Sequence, residues 1–229
     1  MDIGKNKDNL FFGESYNRYL KRFIDIVVSA FSIILLAPIW IISAICIKLE
    51  SPGPIYADIP PRIGQFGHPF KILKFRSMIL NAHELLRTDP KFKEFYEEYK
   101  KNSYKLSIKR DPRITKIGRF IRRYSIDEIP QFINVLRGEM SVVGPRAYFG
   151  DELSLQQEKY PESKVMVNSV LTVKPGITGL WQVSGRSEVN FDKRICLDAR
   201  YAQNLSLWQD LKIMLKTPLA ILSAKGAGA

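Results

Sequence analysis

Two adjacent carboxylates, Asp127 and Glu128, follow the most basic stretch of the chain. The stretch from residue 109 to residue 123 contains seven Lys and Arg residues and a single acid. Pro130 comes directly after the acidic pair and is best tolerated in a first helical turn, so we expect the two acids to stand at a helix N-terminus. The dipole and the free N–H groups there favour an ionised acid and also phosphate oxygens.

The acidic pair has two interpretations. A carboxylate among cations can act as a nucleophile toward a phosphate, and its neighbour can bind magnesium through oxygen. Alternatively, Ser125 and Glu128 match the spacing of a capping box, in which both residues only terminate a helix. The local pattern leaves both interpretations open.

Two later segments also place arginine in a turn. Met140 to Arg146 ends an apolar stretch with Gly-Pro-Arg, and an arginine there suits a bidentate phosphate contact. Lys174 to Arg186 contains three glycines and one proline, a composition typical of a loop shaped around a ligand, which makes Arg186 a candidate for substrate binding. Each segment is equally compatible with an ordinary turn.

Several familiar catalytic motifs are absent from the sequence. It has no phosphate-binding P-loop, no dinucleotide fingerprint and no nucleophile elbow. The chain contains two histidines and two cysteines, which do not cluster, so any metal is expected to be a hard ion held by carboxylates.

The elements that position these residues are predicted from hydrophobic spacing. Residues 70–75 (FKILKF) alternate enough for a short strand. Residues 81–104 are predicted to form one helix, because aromatic side chains recur at helical spacing among Lys and Glu. Residues 109–123 predict a basic amphipathic helix whose apolar face suits the surface of an anionic bilayer, or else a solvated basic face over a small core. Residues 205–222 predict a similar helix, with Trp208 at interface depth.

The longest apolar run extends from Phe23 to Ile47, where 20 of 25 residues are apolar. A helix of that length rises about 37 Å and exceeds a hydrocarbon core of about 30 Å. The run is too long for a signal-peptide core and lacks a cleavage site. Because there is one such run, a multi-spanning transporter is excluded.

The topology of this run is open between two alternatives. Basic residues lie on both flanks, whereas a spanning helix would put one basic flank outside. Pro38 lies near the middle and is expected to kink the helix at Ala37 and Pro38. The run therefore either spans the membrane or enters and leaves by the same face.

Length, charge and cysteine content bound the class of protein. The chain has 229 residues, a net charge of +12 and two cysteines, which predicts one medium domain in a reducing cytoplasm. The charge is compatible with anionic lipid or nucleic acid. A nucleic-acid binder is the weaker interpretation because no recognition module accompanies the basic residues.

Taken in order, these segments resemble the bacterial sugar transferase family, the monotopic polyprenyl-phosphate phosphoglycosyl transferases. The resemblance extends over nearly all of residues 21–216. Its matching pieces are KRFIDIVVSA, KLESPGPI, FKILKFRSM, DPRITKIGRFIRRYSIDEIPQFINVLRGEMSVVGPR, VKPGITGLWQVSGRS and residues 201–216.

The resemblance implies an activity and residues that carry it. The reaction is transfer of a sugar 1-phosphate from a UDP-sugar to undecaprenyl phosphate, with release of UMP, and UDP-galactose or UDP-glucose is the expected donor. Asp127 is implied as the nucleophile that forms a covalent phosphosugar intermediate, and Glu128 assists it with Mg²⁺. The residues implied to bind substrate are Lys74, Arg76, Arg146 and Asp198.

The resemblance also implies an organisation of the chain. We expect a mostly helical α/β fold: a basic tail (1–22), a re-entrant membrane helix broken at Ala37 and Pro38 (23–47), a cytosolic catalytic domain with interfacial helices (48–222) and a flexible tail (223–229). The inner membrane is the expected location, nucleic acid is not an expected partner, and a homodimer stays open.

The sequence departs from the family pattern at three places. Ala147 replaces the second proline of Pro-Arg-Pro, Ala37 replaces a serine before Pro38, and Arg62 follows Pro-Pro in place of a more polar stretch. None of the departures affects the acidic pair. The strongest non-enzymatic alternative is a membrane-anchored basic assembly protein that binds anionic lipid.

Overall fold

The computed structural model describes residues 16–101, 106, 110–185 and 190–223. The described chain is a mostly helical α/β structure, which confirms the predicted fold class at this level. A π-helical turn, Tyr16–Leu20, precedes the first long helix. The α-helices are α1 (Lys21–Glu50), α2 (Ala82–Thr88), α3 (Lys93–Lys101), α4 (Lys116–Arg123), α5 (Gln131–Arg137), α6 (Gly150–Lys159), α7 (Ser163–Val170), α8 (Leu180–Val183), α9 (Phe191–Gln203) and α10 (Leu207–Leu222).

Short strands form two small sheets between the helices. The strands are β1 (Arg62–Ile63), β2 (Pro69–Phe70), β3 (Ser141–Val143), β4 (Tyr148–Phe149) and β5 (Gly176–Thr178). Strand β1 pairs antiparallel with both β2 and β4, and Arg62 lies opposite Phe149 in the second pairing. Strand β3 pairs parallel with β5. The predicted strand over residues 70–75 is therefore shorter than expected, with Phe75 making only a single bridge to Tyr56.

Helix α1 is a 30-residue helix and is about 45 Å long at 1.5 Å per residue. Its length and composition are sufficient to cross a membrane, and it extends the predicted apolar run at both ends. The buried residues of the helix are mostly polar, and they are Lys21, Asp25, Ser29, Ser43 and Ile47. The apolar residues of α1 are mostly exposed, the reverse of a helix in a soluble core.

A buried polar network fixes the beginning of α1 to the rest of the chain. The Lys21 ammonium donates to Asp210 Oδ2 at 2.6 Å and to the carbonyl of Val143 at 3.0 Å. One carboxylate oxygen of Asp25 accepts from the Ser141 hydroxyl and from the Val142 N–H, each at 2.9 Å. The start of the apolar helix is thus joined to β3 and to α10.

The end of α1 is held by the same polar domain. The Glu50 carboxylate accepts from the Ile117 N–H in the first turn of α4, at 3.0 Å to Oε1. Ile47 packs with Phe75 and Ile121 in an apolar core. The Trp40 ring, nearer the middle of α1, meets the Phe75 ring edge-on with 5.6 Å between the ring centres.

The helical structure of α1 continues through Ala37 and Pro38. The break predicted at these residues is therefore not an interruption of the helix. The kink and the re-entrant path stay predictions.

The helix predicted over residues 81–104 is wrong as one continuous element. Helix α2 ends at Thr88, a 3₁₀ turn covers Pro90–Phe92, and α3 begins at Lys93. Pro90 has no N–H to continue the helix, and the Asp89 side chain accepts from the Lys91 N–H and starts the next turn. Residues 102–104 lie outside the described residues.

Of the described residues 110–123 of the basic segment, those from Lys116 to Arg123 form an α-helix. Arg113 precedes the helix and is buried, with Nη2 at 2.6 Å from Asp111 Oδ2. Arg113 therefore does not belong to the bilayer-facing helix predicted over residues 109–123, because its guanidinium is used by an internal ion pair. Helix α10 confirms that residues 207–222 are helical, and Trp208 on it is 73% exposed. The position of Trp208 at a membrane interface stays a prediction.

Gly118 allows α4 to approach the backbone at Ser77. A Cβ at Gly118 would lie 2.0 Å from the Ser77 carbonyl oxygen, whereas one at Gly150 would meet its nearest atom, in Ile63, at 3.6 Å. We expect Gly118→Ala to lower stability by about 1–3 kcal/mol, since overpacking displaces backbone. Thermal unfolding in detergent measures the effect, with Gly150→Ala as the matched control. Equal melting temperatures for the two variants would contradict this close approach.

Candidate active site

The acidic pair lies in a single 3₁₀ turn, Ile126–Glu128, between α4 and α5. This confirms that the pair stands just before a helix. The capping-box alternative is wrong, because Ser125 has a φ of 55° and its side chain makes no cap hydrogen bond. Glu128 instead accepts from Lys74 at 2.5 Å.

The segment that carries Lys74 is held against α5 by hydrogen bonds from an α5 side chain to the main chain of the segment. The side-chain oxygen of Asn134 accepts from the Leu73 N–H, and its amide nitrogen donates to the Lys71 carbonyl, both at 2.9 Å. Two residues later the Phe75 N–H donates to the Asp127 carbonyl at 3.0 Å. These bonds fix the position of Lys74 relative to the acidic pair.

Asp127 is a buried acid with a cation beside it. Its carboxylate is 3.9 Å from the Lys74 ammonium. Burial raises the pKa of the Asp127 carboxyl above its usual range, while Lys74 opposes the rise and the neighbouring Glu128 charge adds to it. The positive charge of Arg122, which is half-buried and lines the cavity described below, also favours the ionised form of the Asp127 carboxyl. The acid is therefore poised between its two protonation states more closely than a surface aspartate is.

An open cavity of about 1400 Å³ brings most of the predicted site residues together. It is lined by Asp127, Glu128, Lys74, Arg76 and Arg146. These residues come from three separate parts of the chain. Their convergence in one cavity with a perturbed acid is typical of a catalytic site.

Arg76 is occupied by backbone carbonyls at the end of α1. Its guanidinium donates to the carbonyl oxygens of Pro52 at 2.6 Å, Ser51 at 2.7 Å and Ile47 at 3.4 Å. A cation there satisfies acceptors that a helix end leaves free. The predicted contact of Arg76 with phosphate stays a prediction, and these bonds do not support it.

Asp198 lies behind Arg146 and positions its backbone. One carboxylate oxygen of Asp198 accepts from the Arg146 N–H at 3.1 Å and from the Tyr148 hydroxyl at 2.8 Å. The Arg146 guanidinium lies over the Trp181 ring, 5.6 Å from its centre. Burial raises the pKa of Asp198 to about 7, while the bond from the Arg146 N–H is the largest opposing effect.

The predicted site residue Arg186 lies outside the described residues.

Two residues that line the cavity were not predicted as site residues. Arg62 and Arg122 both line the cavity, but Arg62 stands in a loop-rich stretch, and Arg122 belongs to a helix predicted to face the bilayer. Neither has a local sequence signal for a site, because the contacts that bring it there join residues far apart in the chain.

The acidic pair is chemically suited to magnesium. No cluster of three or more His, Cys, Asp or Glu side chains that could hold a metal occurs among the residues that the structure describes. Mg²⁺ does not need one, because it commonly binds one or two carboxylates together with substrate phosphates and water. Asp127 and Glu128 supply such carboxylates at the edge of the cavity.

The raised pKa of Asp198 makes stability fall with pH. The folded state holds a proton on Asp198 up to about pH 7, whereas an unfolded aspartate loses it near pH 4. Between these values the free energy of unfolding should decrease by up to about 1.4 kcal/mol per pH unit from this group. Asp198→Asn keeps an acceptor without the charge and should flatten that slope.

Denaturant titrations at pH 5 and pH 7.5 test this dependence. Asp58, whose side chain is 86% exposed, provides the control Asp58→Asn, which should keep the slope of the unchanged protein. An unaltered slope in Asp198→Asn would contradict the raised pKa.

The chain is similar to known proteins along most of its length. The family model for bacterial sugar transferases matches residues 16–224. The chain is 44% identical over 216 residues to the UDP-galactose-lipid carrier transferase of Erwinia amylovora, covering 92% of this chain and 42% of that protein. It is 42% identical over 215 residues to the undecaprenyl-phosphate galactose phosphotransferase of Salmonella typhimurium, with the same coverage of each chain.

A shorter relative is matched along most of its length. The exopolysaccharide production protein ExoY of Rhizobium meliloti is 37% identical over 211 residues, which are 90% of this chain and 87% of that protein. By contrast, the chain spans about two fifths of the first two relatives. The match over residues 16–224 includes the acidic pair, Lys74, Arg146 and α1, and the chain belongs to the bacterial sugar transferase family.

Proposed function

We propose that the protein transfers a sugar 1-phosphate from a UDP-sugar to undecaprenyl phosphate and releases UMP. The observation that carries this proposal is the buried Asp127 beside Glu128 and Lys74, at an open cavity in a chain of this family. The names of the relatives from Erwinia and Salmonella support the same reaction. The product is a membrane-bound carrier that begins the synthesis of a polysaccharide.

The first step forms a covalent intermediate on Asp127. An oxygen of the ionised carboxylate attacks the phosphorus that bears the sugar, and a new P–O bond forms to the enzyme. The bond from that phosphorus to the bridging oxygen breaks, and UMP leaves with the electron pair. A buried carboxylate is a suitable nucleophile, because few waters must be removed from it before it attacks.

The second step regenerates the enzyme. A phosphate oxygen of undecaprenyl phosphate attacks the same phosphorus, the P–O bond to Asp127 breaks, and the carboxylate recovers its charge. The donor and acceptor phosphates repel each other, so cations at the cavity are needed in both steps. Lys74 supplies a positive charge next to the reacting carboxylate, and Arg146 supplies a second positive charge on the sheet side of the cavity.

The protonation state of Asp127 connects its environment to this chemistry. Burial raises its pKa, and only the ionised form is a nucleophile. Lys74 offsets part of that effect from 3.9 Å. We therefore assign two tasks to Lys74, which are to keep Asp127 ionised and to neutralise the incoming phosphate.

Magnesium completes the proposed site. Asp127 and Glu128 are the residues that would hold Mg²⁺, because both carboxylates lie beside Lys74 at the cavity. When bound, Mg²⁺ neutralises charge on the phosphate groups of the donor.

The contacts of α1 support a topology in which both ends of the helix lie on the same side of the membrane. Lys21 at its start bonds Asp210, and Glu50 at its end bonds Ile117. Both partners belong to the domain that carries the acidic pair. A helix that spanned the bilayer would separate its ends by about 30 Å of hydrocarbon, and the polar domain would have to follow it across. We propose that α1 enters and leaves by the cytoplasmic face of the inner membrane.

Exposed apolar side chains outside α1 support the same placement. Phe120 on α4 and the α10 residues Trp208, Leu215 and Leu219 are more than half exposed. Such residues beside basic ones suit the headgroup region of an anionic bilayer. This arrangement puts the cavity close to the depth at which a long-chain lipid presents its phosphate.

Galactose or glucose is the sugar that we propose. The names of the Erwinia and Salmonella relatives contain galactose, and the family resemblance of residues 174–186 extends to hexose-transferring members.

Asp127→Asn should abolish the reaction while preserving the fold. The amide occupies the same volume but is not a nucleophile, so UMP release from UDP-galactose and UDP-glucose with undecaprenyl phosphate and Mg²⁺ should fall by at least about 10³-fold. A donor labelled with ³²P in the sugar-bearing phosphate should also leave label on the denatured unchanged enzyme, but not on Asp127→Asn.

The exposed Asp58 at the rim of the cavity gives the matched control, since Asp58→Asn should retain full activity. Undiminished UMP release from Asp127→Asn would refute the assigned nucleophile. The absence of any UMP release from the unchanged protein would favour the alternative, a non-catalytic membrane-anchored protein that binds anionic lipid.

The topology is tested by cysteine accessibility. In a background with Cys46→Ser and Cys196→Ser, single cysteines at Lys5 and Asp58 should both react with a membrane-impermeant maleimide in inverted vesicles. Neither should react in intact spheroplasts, because both ends of α1 are expected on the cytoplasmic side.

A cysteine inside the periplasmic domain of a co-expressed membrane protein serves as the control for vesicle orientation. Labelling of the two single cysteines from opposite sides would establish a spanning α1 instead.

A further inference from the structure

Arg62 is a buried cation on the sheet side of the cavity. It lies on β1 opposite Phe149 and is 9% exposed. Its guanidinium carbon is 3.3 Å from the centre of the Phe149 ring, and Nη1 donates to the Ala147 carbonyl at 3.1 Å. Its Nε has no hydrogen-bond partner among the described residues. The side chain is thus fixed in place by β4 while part of its bonding capacity stays unused.

Arg146 is the second cation on this side, and the backbone couples it to Arg62. The carbonyl that Arg62 contacts belongs to Ala147, the residue directly after Arg146. The Arg146 N–H is bonded to Asp198, its guanidinium lies over the Trp181 ring, and its Nε also has no partner among the described residues. Both side chains line the cavity that contains the acidic pair.

Neither of the two arginines has an acid directly beside it. Glu152 is paired with Arg194 at 2.9 Å and both are fully buried. Burial raises the pKa of Asp198 to about 7, so this carboxyl is only partly ionised at neutral pH. Within the described residues, neither Arg62 nor Arg146 has a carboxylate within 4 Å. Two guanidinium groups therefore share a partly desolvated region without a directly paired acid.

The pKa values of nearby groups show how these charges act. The Glu152 charge favours the protonated form of both arginines and raises the pKa of Arg146. Burial, followed by the charges of Arg113 and Arg62, lowers the pKa of His83 to about 4, so the imidazole is neutral at pH 7. Burial, followed by the Arg146 charge, lowers the pKa of Arg62 to about 9, which leaves it protonated at pH 7. A buried cation without a counter-ion is costly, and a bound anion removes that cost.

We propose that Arg62 and Arg146 together bind one doubly charged phosphate monoester in the cavity, with Arg62 as a further substrate-binding residue. Guanidinium groups suit this ligand, because their planar forks donate two parallel hydrogen bonds to phosphate oxygens. Both stacked side chains are held in place before the ligand arrives, which reduces the entropy lost on binding. The proposal rests on the proposed function, in which UMP and undecaprenyl phosphate are the two phosphate monoesters that the cavity receives.

The decisive variants are Arg62→Gln, which removes the charge, and Arg62→Lys, which retains it without the fork. The matched control is Lys71→Gln, because Lys71 lines the same cavity but is 65% exposed at its side chain and is paired with the exposed Asp58 at 3.3 Å. Thermal unfolding in detergent is measured for each protein with and without UMP. It is measured separately with short-chain polyprenyl phosphate, to which detergent micelles without the phosphate serve as the blank.

Loss of one charge-assisted contact should weaken the relevant ligand by about 10- to 100-fold in Arg62→Gln. The effect should be smaller in Arg62→Lys and absent in Lys71→Gln. If the ligand is the nucleotide phosphate, stabilisation by UMP is lost and the KM for the UDP-sugar rises. If it is the lipid phosphate, stabilisation by polyprenyl phosphate is lost and the KM for the acceptor rises.

A purely structural role for Arg62 predicts a different result. The ligand-free melting temperature of both variants would fall, while ligand-induced shifts and both KM values stayed unchanged in the folded protein, and this result would overturn the proposal. Should Arg62→Gln fail to fold, the same comparison in Arg62→Lys decides. Because the ligand-induced shifts need no turnover, they separate failure of this proposal from failure of the proposed reaction.

Discussion

The position of the acidic pair relative to the membrane depends on how the end of α1 is held. Three consecutive residues make this junction. Lys74 contacts Glu128, the Phe75 N–H bonds the Asp127 carbonyl, and the Arg76 guanidinium bonds the last carbonyls of α1 and the turn after it. Since these residues are covalently adjacent, the apolar helix and the buried Asp127 are connected through a few bonds. Helix α1 suits an apolar environment, whereas the acidic pair needs a polar one. The junction therefore lets both lie at the boundary between the two environments.

The buried basic residues are of two kinds. Arg62, Arg113, Arg146 and Arg194 all lie largely inside the fold, but only some of them are paired with an acid. Arg113 is paired with Asp111 and Arg194 with Glu152, and both pairs are almost completely buried. Arg62 and Arg146 lack such partners among the described residues. This separates cations that stabilise the fold from cations that are available to a substrate, a distinction that net charge alone does not make.

The buried polar groups on α1 are also satisfied by partners inside the fold. Lys21 and Asp25 would be costly in hydrocarbon, yet they lie at the start of an otherwise apolar helix. In the structure they face β3 and α10, where Asp210, Ser141 and Val142 satisfy them. A single helix thus presents apolar residues to its surroundings and polar residues to the domain. The burial pattern of a soluble helix is inverted, as membrane attachment requires.

Several features were predictable from the sequence alone, namely the apolar helix, the acidic pair, the arginine turn at Arg146 and the family resemblance. These depend on residues that are close together in the chain, where composition and helical spacing are sufficient. The sequence did not determine that Ser125 leaves the helix cap unformed, that Arg113 turns inward or that Arg76 binds the end of α1. Nor did it place Arg62 in the cavity, since the Phe149 ring that holds Arg62 is distant in sequence. These points required the tertiary structure. The partner of each charged side chain depends on how separate segments pack together, and not on its neighbours in the chain.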